Sequence, residues 1–185
     1  MNGPPATNDR PLVLGIDPGL RVCGWGVLRG GPHPDYVACG VVRPRVRDSL
    51  PQRLTVLHDE LSRLIELYRP EEVAIEDPFV GALAPASALA IGQARAVGLL
   101  AAGQAGLKVA LYAPRAVKAS VSGYGASDKR QVQTMVRVLL NLNADPEPVD
   151  AADALAVALC HIAQRKSVLA GRAAAAATPM RASRP

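Results

Sequence analysis

Aromatic side chains are scarce in this 185-residue chain: one phenylalanine, one tryptophan and four tyrosines, 3% of residues against a hydrophobic share of 49%. The core must therefore be built from leucine, valine, isoleucine and alanine. Cysteine is scarcer still. Cys23, Cys39 and Cys160 are an odd number and lie far apart in apolar stretches. They have no CxxC or metal-knuckle spacing, which excludes a disulfide framework and leaves buried, reduced thiols. The first eleven residues contain no apolar h-region, so no secretory signal is expected. The longest weakly charged stretch, residues 78–94, contains Pro85 and is too polar and too short to span a bilayer. A soluble, cytoplasmic protein with no membrane contact is the expectation, and the length suffices for one domain without staples.

The basic surplus is narrower than it looks. Net charge is +5 and the pI about 9.4, which invites a nucleic-acid reading. Five of the bases, Arg165, Lys166, Arg172, Arg181 and Arg184, follow the last apolar helix with no acid among them. Setting these aside leaves sixteen bases against sixteen acids. Charge alone does not establish a DNA partner; what matters is whether bases gather around particular acids.

Residues 1–10 are rich in proline, glycine and asparagine and are expected to be a disordered extension. Leu12 to Asp17 is an apolar run closed by Asp-Pro-Gly and reads as a buried strand. Val22–Leu28 and Tyr36–Val42 read as two more strands, joined by tight turns into an antiparallel meander. From Pro51 the period changes: Leu54, Leu57, Leu61, Leu64, Ile65 and Tyr68 form one helical stripe, with Ser49 a plausible N-cap and Pro70 a stop. Residues 72–77 are a fourth strand, 86–105 a helix of small residues, and 107–112 a fifth strand. A short helix over 114–122 and a longer one over 127–140, with Ser127 as its cap, precede a stiff Asp-Pro-Glu-Pro loop and a last helix. The domain is expected to span 11–166, with a disordered basic tail over 167–185. Three antiparallel strands followed by alternating helices and strands predict an α/β domain of the RNase H-like kind: a five-stranded mixed sheet flanked by helices.

The last helix opens with Asp150 and Asp153, three residues apart and so on one face, with Cβ atoms roughly 5–6 Å apart. No cation elsewhere on that helix relieves their repulsion. Either Asp150 caps the helix with Asp153 in its first turn, where the dipole favours negative charge, or both face a divalent cation. Asp17 ends the first strand, either as an ordinary turn residue or as a ligand beyond a strand's carboxyl end. Glu76 follows the apolar run Val73-Ala74-Ile75. A carboxylate there is costly unless an arginine or a metal meets it, or the strand end is exposed. Asp77 points to the opposite face by alternation. Four hard oxygen donors without histidine or cysteine select Mg²⁺ or Mn²⁺ over Zn²⁺. Two such ions about 3.5–4 Å apart can clamp both oxygens of a phosphodiester displacement.

Leu14-Gly15-Ile16-Asp17-Pro18-Gly19-Leu20-Arg21 resembles the opening of the RuvC family, the bacterial Holliday-junction resolvases. So do Ala74-Ile75-Glu76-Asp77-Pro78-Phe79, Ser87-Ala88-Leu89 with Gly92-Gln93-Ala94-Arg95, and Asp150-Ala151-Ala152-Asp153-Ala154-Leu155-Ala156. The stretches run in order from about residue 12 to 163. The resemblance implies that Asp17, Glu76, Asp150 and Asp153 are catalytic ligands of two Mg²⁺ ions, with Mn²⁺ able to substitute. It also implies a homodimer that nicks two opposed strands of four-way junction DNA, leaving 5′-phosphate and 3′-hydroxyl ends, and a RuvA–RuvB branch-migration complex as partner.

By the same resemblance Lys118 and Lys129 assist cleavage and touch the scissile backbone; physically, each offers a compact cation to a phosphate without reading sequence. Phe79, the only phenylalanine, is either a core aromatic or, beside the ligands, a platform for an unpaired base; the family uses an aromatic here to hold the junction open. Arg95, Arg115 and Tyr124 stand in or beside these stretches and are expected to contact DNA as well. Two departures stand out: Gly81-Ala82-Leu83-Ala84-Pro85 lacks the lysine and asparagine that many members carry, and Ala96 replaces a glycine.

Three other readings compete. An actin-like ATPase also opens Gly-Ile-Asp-x-Gly, but needs two such domains and a longer chain. A nuclease of the same fold acting on RNA or RNA–DNA hybrid is less consistent with Lys118, Lys129 and the aspartate pair. A non-catalytic junction binder would have four acids facing phosphate with nothing between.

Overall fold

Side-chain alternation along the first strand decides what lies on each side of the sheet. The computed structural model of this protein describes residues 10–77 and 84–177, the last nine by backbone alone. In β1 (Leu12–Asp17), Leu12, Leu14 and Ile16 face one way, while Val13, Gly15 and Asp17 face the other. Strands β2 (Cys23–Arg29) and β3 (Asp35–Val42) continue the sheet antiparallel on one side of β1; β4 (Glu72–Glu76) and β5 (Lys108–Tyr112) pair parallel on the other. The order is β3-β2-β1-β4-β5. This is the mixed five-stranded sheet, first three strands antiparallel, that the sequence predicts.

Helices α1 (Leu50–Tyr68) and α2 (Pro85–Gln104) cover the Leu14–Ile16 face. Helices α3 (Pro114–Ser122), α4 (Lys129–Leu139) and α5 (Val149–Ala177) cover the other. The α1 stripe buries Leu57, Leu61, Leu64 and Ile65, and Gln52 Oε1 accepts from Ser49 N at 2.9 Å and Ser49 Oγ at 2.8 Å where the helix starts. The helix ends at Arg69, whose φ is 49°. Among the described residues Trp25 and Tyr68 are the one aromatic pair on this face, with ring centroids 5.9 Å apart; its buried residues are otherwise aliphatic or cysteine.

Several boundaries differ from the sequence expectation, each for a local reason. Ser127 is not the cap of α4: it is buried, its hydroxyl donating to Tyr124 O at 2.8 Å. Asp128 caps instead, accepting from Gln131 N at 2.8 Å, while Gln131 Oε1 accepts from Asp128 N at 3.1 Å. Asp150 does not cap α5 either, since the helix already begins at Val149 and Asp150 lies inside its first turn. The helix also runs to Ala177, past Lys166 where the tail was expected to begin. At the other end Arg10 is ordered against the sheet, its Nε donating to Gly30 O at 3.2 Å and its guanidinium paired with Asp35. Residues 1–9 and 178–185 lie outside the described residues. Cys23 and Cys160 are buried and Cys39 half-buried, all free.

Among the described residues one helix, Pro85–Gln104, is long and apolar enough to cross a membrane by length and composition, a window offset from the one weighed by sequence. In the fold it is a surface helix whose inner face, Ala94, Val97, Gly98, Ala101 and Ala102, packs on the sheet.

On the opposite face α5 meets the sheet backbone to backbone. A Cβ added at Gly15 would stand 2.2 Å from Ala154 O and 2.9 Å from Ala158 N; one at Gly24 would stand 2.0 Å from Asp150 O; one at Gly26 would meet the Leu155 side chain at 2.7 Å. The helix answers with Ala151, Ala154 and Ala158, all fully buried. Gly15→Ala should force α5 off the sheet and destabilise the fold by about 1–3 kcal/mol or more. Gly92→Ala, on open helix surface with nothing within 4 Å of the added carbon, should be neutral or stabilise by up to about 1 kcal/mol. Denaturant melts of the two variants against the parent check this; equal effects would refute it.

Candidate metal centre

The parity that hides Leu14 and Ile16 beneath α1 and α2 turns Asp17 toward α5. In β4, Val73 and Ile75 likewise join the α1–α2 side, while Ala74 faces α5 and Glu76 follows in the same parity. Gly15 pairs with Ala74 and Ile16 with Ile75 in the parallel register, so Asp17 and Glu76 end adjacent strands side by side. Asp77 goes the other way and pairs with Arg95 of α2.

The first turn of α5 comes down over these two acids. Carboxylate oxygens of Asp17, Asp150 and Asp153 lie within 4.8 Å of one another, about the separation of two ligands across one small cation's coordination sphere. Glu76 stands next to the trio and hydrogen-bonds the Asp17 carboxylate. Together Asp17, Glu76 and Asp153 line a pocket of about 310 Å³ whose other wall includes Lys118 of α3 and Lys129 of α4. Lys129 Nζ lies 2.7 Å from Asp153 Oδ2. The cation that the first turns of α5 lack is thus delivered by the first residue of another helix.

Electrostatics follow from burial and crowding. Burial first, then the Asp153 charge, raises the Asp17 carboxyl to about 6, against the hydrogen bond from Glu76 and the Lys129 charge. Burial, the Asp17 charge and the hydrogen bond to Asp17 raise Glu76 to about 8. The two titrate as a pair and share a proton. Asp153 is also raised, by burial, with the Lys129 hydrogen bond opposing. For Lys129 burial disfavours the charge, but the hydrogen bond to Asp153 and the nearby carboxylates outweigh it and raise its pKa. Four carboxylates that cannot all ionise unaided fit a divalent cation by donor type: all oxygen, no sulfur or imidazole.

The remaining predicted residues are distributed as follows. Arg115 is exposed on α3, with Gly125 packed close against its side chain. Tyr124 is 67% exposed on the loop between α3 and α4. That loop is tied by Ser122 Oγ, which donates to Lys118 O at 2.7 Å and contacts Ser127 Oγ at 2.7 Å. Gly123 ends α3 with φ of 77°, a turn role. Arg95 is engaged by Asp77. Phe79 and most of the loop Gly81–Pro85 lie outside the described residues.

Sequence reasoning missed a partly buried chain of polar groups farther along α5. Tyr112 OH and His161 Nδ1 are 2.8 Å apart, His161 Nε2 and Glu72 Oε2 2.6 Å, and Arg165 Nη1 donates to Glu72 Oε1 at 3.0 Å. It pins the middle of α5 to β4 and β5. The signal was available: Glu72 shares the parity of Glu76.

Comparison with known proteins agrees with this geometry. The family model for crossover junction endodeoxyribonuclease RuvC matches residues 13–161. A protein of that name from Dehalococcoides mccartyi is 47% identical over 154 residues, 83% of this chain and 93% of its own length. One from Azorhizobium caulinodans is 45% identical over 169 residues, 91% and 99%. Among solved structures, Thermus thermophilus RuvC in complex with Holliday junction substrate superposes with a TM-score of 0.80 at 33% identity, covering 85% of this chain and 96% of that one. The yeast mitochondrial Holliday junction resolvase Ydc2 shares the fold, with a TM-score of 0.62 at 13% identity.

The shared proton sets a pH dependence. The unfolded chain releases these protons near pH 4, whereas the folded metal-free protein keeps them up to about pH 6 at Asp17 and about 8 at Glu76. The folded state therefore binds more protons across that window, and its stability falls as pH rises through it. Without divalent metal, denaturant melts should give a lower unfolding free energy at pH 8 than at pH 5, a difference on the order of a few kcal/mol that Glu76→Gln narrows. Added Mg²⁺ should restore more stability at pH 8, because ligands must be deprotonated to bind. A metal-free protein more stable at pH 8, with the Gln variant unchanged, would contradict the shared proton.

Proposed function

The chain belongs to the RuvC family of crossover junction endodeoxyribonucleases, and on that premise we propose that it resolves Holliday junctions by paired, symmetric nicks with divalent ions held by Asp17, Glu76, Asp150 and Asp153. The observation that carries the reading is the meeting of four acids from β1, β4 and α5 in one cluster, three of them, Asp17, Glu76 and Asp153, lining a pocket walled by two lysines. Divalent ions bound there lower the pKa of water and neutralise charge developing on the leaving oxygen, with Mg²⁺ the expected ion and Mn²⁺ a substitute. Asp17, close to both α5 aspartates and to Glu76, would contribute oxygens to the bound ions. Lys118 and Lys129 lie at the rim, where ammonium groups hold the DNA backbone without reading its bases. In the DNA-bound protein Lys129 would exchange Asp153 for a phosphate oxygen. Arg115 and Tyr124 extend this rim, and Phe79 would stack on a base near the crossover. The products would carry 5′-phosphate and 3′-hydroxyl ends.

Two matched cuts need two sites related by a two-fold axis. The outer face of α2 suits such pairing: Leu89 is 64% and Leu100 53% exposed, and eleven residues, about three helical turns, put them on one stripe. Gly92 and Gly103 on the same side have open space beyond them. Leu89→Glu with Leu100→Glu should give a monomer by sedimentation that nicks junction strands singly. A soluble protein working on cytoplasmic DNA, downstream of a RuvA–RuvB motor, completes the reading.

A synthetic mobile four-way junction in Mg²⁺ tests the core of it. Asp17→Asn should bind the junction while losing cleavage by at least about a hundredfold. Cleavage at the parental rate by that variant, or faster cutting of an RNA–DNA hybrid by the parent, would overturn the assignment.

A further inference from the structure

On the side of Asp150 away from the lysines lies a second, larger cleft of about 660 Å³, bounded by the β1–β2 turn, the start of α2 and one residue of α1. Its walls include Arg21, Arg53 and Ser87, and Asp150 lines it as well. The cleft is therefore continuous with the acid cluster through one side chain. Arg53 is half-buried; its Nη2 donates to Leu20 O at 2.7 Å, which fixes the guanidinium against the turn, and its Nε has no hydrogen-bond partner. Arg21 is exposed and makes no ion pair or hydrogen bond among the described residues. The turn that presents it is tight: a Cβ at Gly19 would stand 2.2 Å from Val22 O.

Cations thus flank the acids on both sides. Lys118 and Lys129 stand at one wall of the metal pocket, Arg21 and Arg53 across Asp150 in the other cleft. A DNA strand crossing the acids presents the phosphate being cut and others before and after it. Each neighbour needs a cation, because nothing else offsets its approach to a row of carboxylates. Guanidinium forks suit this task, since they hold two phosphate oxygens at once and stay charged at any working pH.

We propose that the Arg21–Arg53–Ser87 cleft binds a backbone phosphate flanking the scissile one, on the side opposite Lys118 and Lys129, so that the strand is held from both ends across the metal centre. Arg21 supplies the free fork, Arg53 an anchored positive charge whose Nε is buried and whose Nη2 is held by Leu20 O, and Ser87 a hydroxyl donor. The contact is to phosphate alone and adds no sequence preference. This rests on the junction-cutting reading above.

The test compares Arg21→Gln with Arg29→Gln, both placed in the Asp17→Asn background so that cleavage does not obscure binding. Arg29 is also exposed but lies at the opposite end of the sheet, paired across from Leu12. Affinity for a synthetic four-way junction is measured over a series of salt concentrations. Arg21→Gln should weaken binding about three- to tenfold at ~0.1 M salt, equally for junctions of different sequence, and lower the slope of log K against log salt by about 1. Arg29→Gln should leave the slope unchanged. Equal changes in both variants, or none in Arg21→Gln, would overturn the cleft assignment while the Asp17→Asn parent still binds. Failure of that parent to bind the junction would instead sink the functional reading itself.

Discussion

Helix α5 lies on β1 and β2 with backbone against backbone, and the position of every acid in the centre follows from that contact. Ordinary helix–sheet packing keeps a layer of side chains between the two. Here Gly15, Gly24 and Gly26 face Asp150, Ala154, Leu155 and Ala158, and the carbonyls of Asp150 and Ala154 sit where a strand Cβ would be. Asp150 and Asp153 are short side chains. A helix held off by one more methyl layer would carry them away from Asp17, beyond the span of one small cation's ligands. The partly buried polar chain Tyr112–His161–Glu72–Arg165 then holds the same helix farther along. Close contact at one point and hydrogen bonds at another together fix both the height and the rotation of α5.

Sheet parity supplies the other half of the arrangement. A strand residue two positions from a buried one shares its side, so Asp17 follows Val13 and Gly15, and Glu76 follows Ala74. One residue of slip in either strand would send its acid to the α1–α2 side, where Asp77 goes and is neutralised by Arg95. The apolar runs that precede the acids therefore do more than fill the core. They set the register that brings two negative charges to one edge against their mutual repulsion.

Much of this was legible in the sequence because it is local or periodic. Strand and helix positions followed from alternation and stripes, and the acids stood out as charges at the ends of apolar runs. The misreadings are also physical. Ser127 and Asp128 are both good caps, and the Asp128–Gln131 reciprocal pair decides between them. The ammonium that relieves Asp153 comes from Lys129, twenty-four residues away in sequence, and no pattern along one helix reveals a partner on another. The glycines of β1 and β2 were visible only as small residues alternating with large ones. Their purpose depends on which helix covers which face, and that is a property of the folded chain.

The site is built from an unfavourable arrangement, and the disadvantage gives it selectivity. Burial and like charge push the Asp17 and Glu76 carboxyls upward together, so protonation relieves a crowding that a divalent cation would relieve as well. Whatever displaces the proton must offer concentrated positive charge and accept hard oxygen donors. Monovalent ions carry too little charge and thiophilic metals find no sulfur. On the proposed reading DNA would meet a related constraint from outside: phosphate would be repelled by four acids until cations neutralised them, whereas the basic residues on both sides would attract it throughout. Attraction at the flanks with conditional repulsion at the centre would let the strand be gripped before the centre is competent, and would tie competence to the ions.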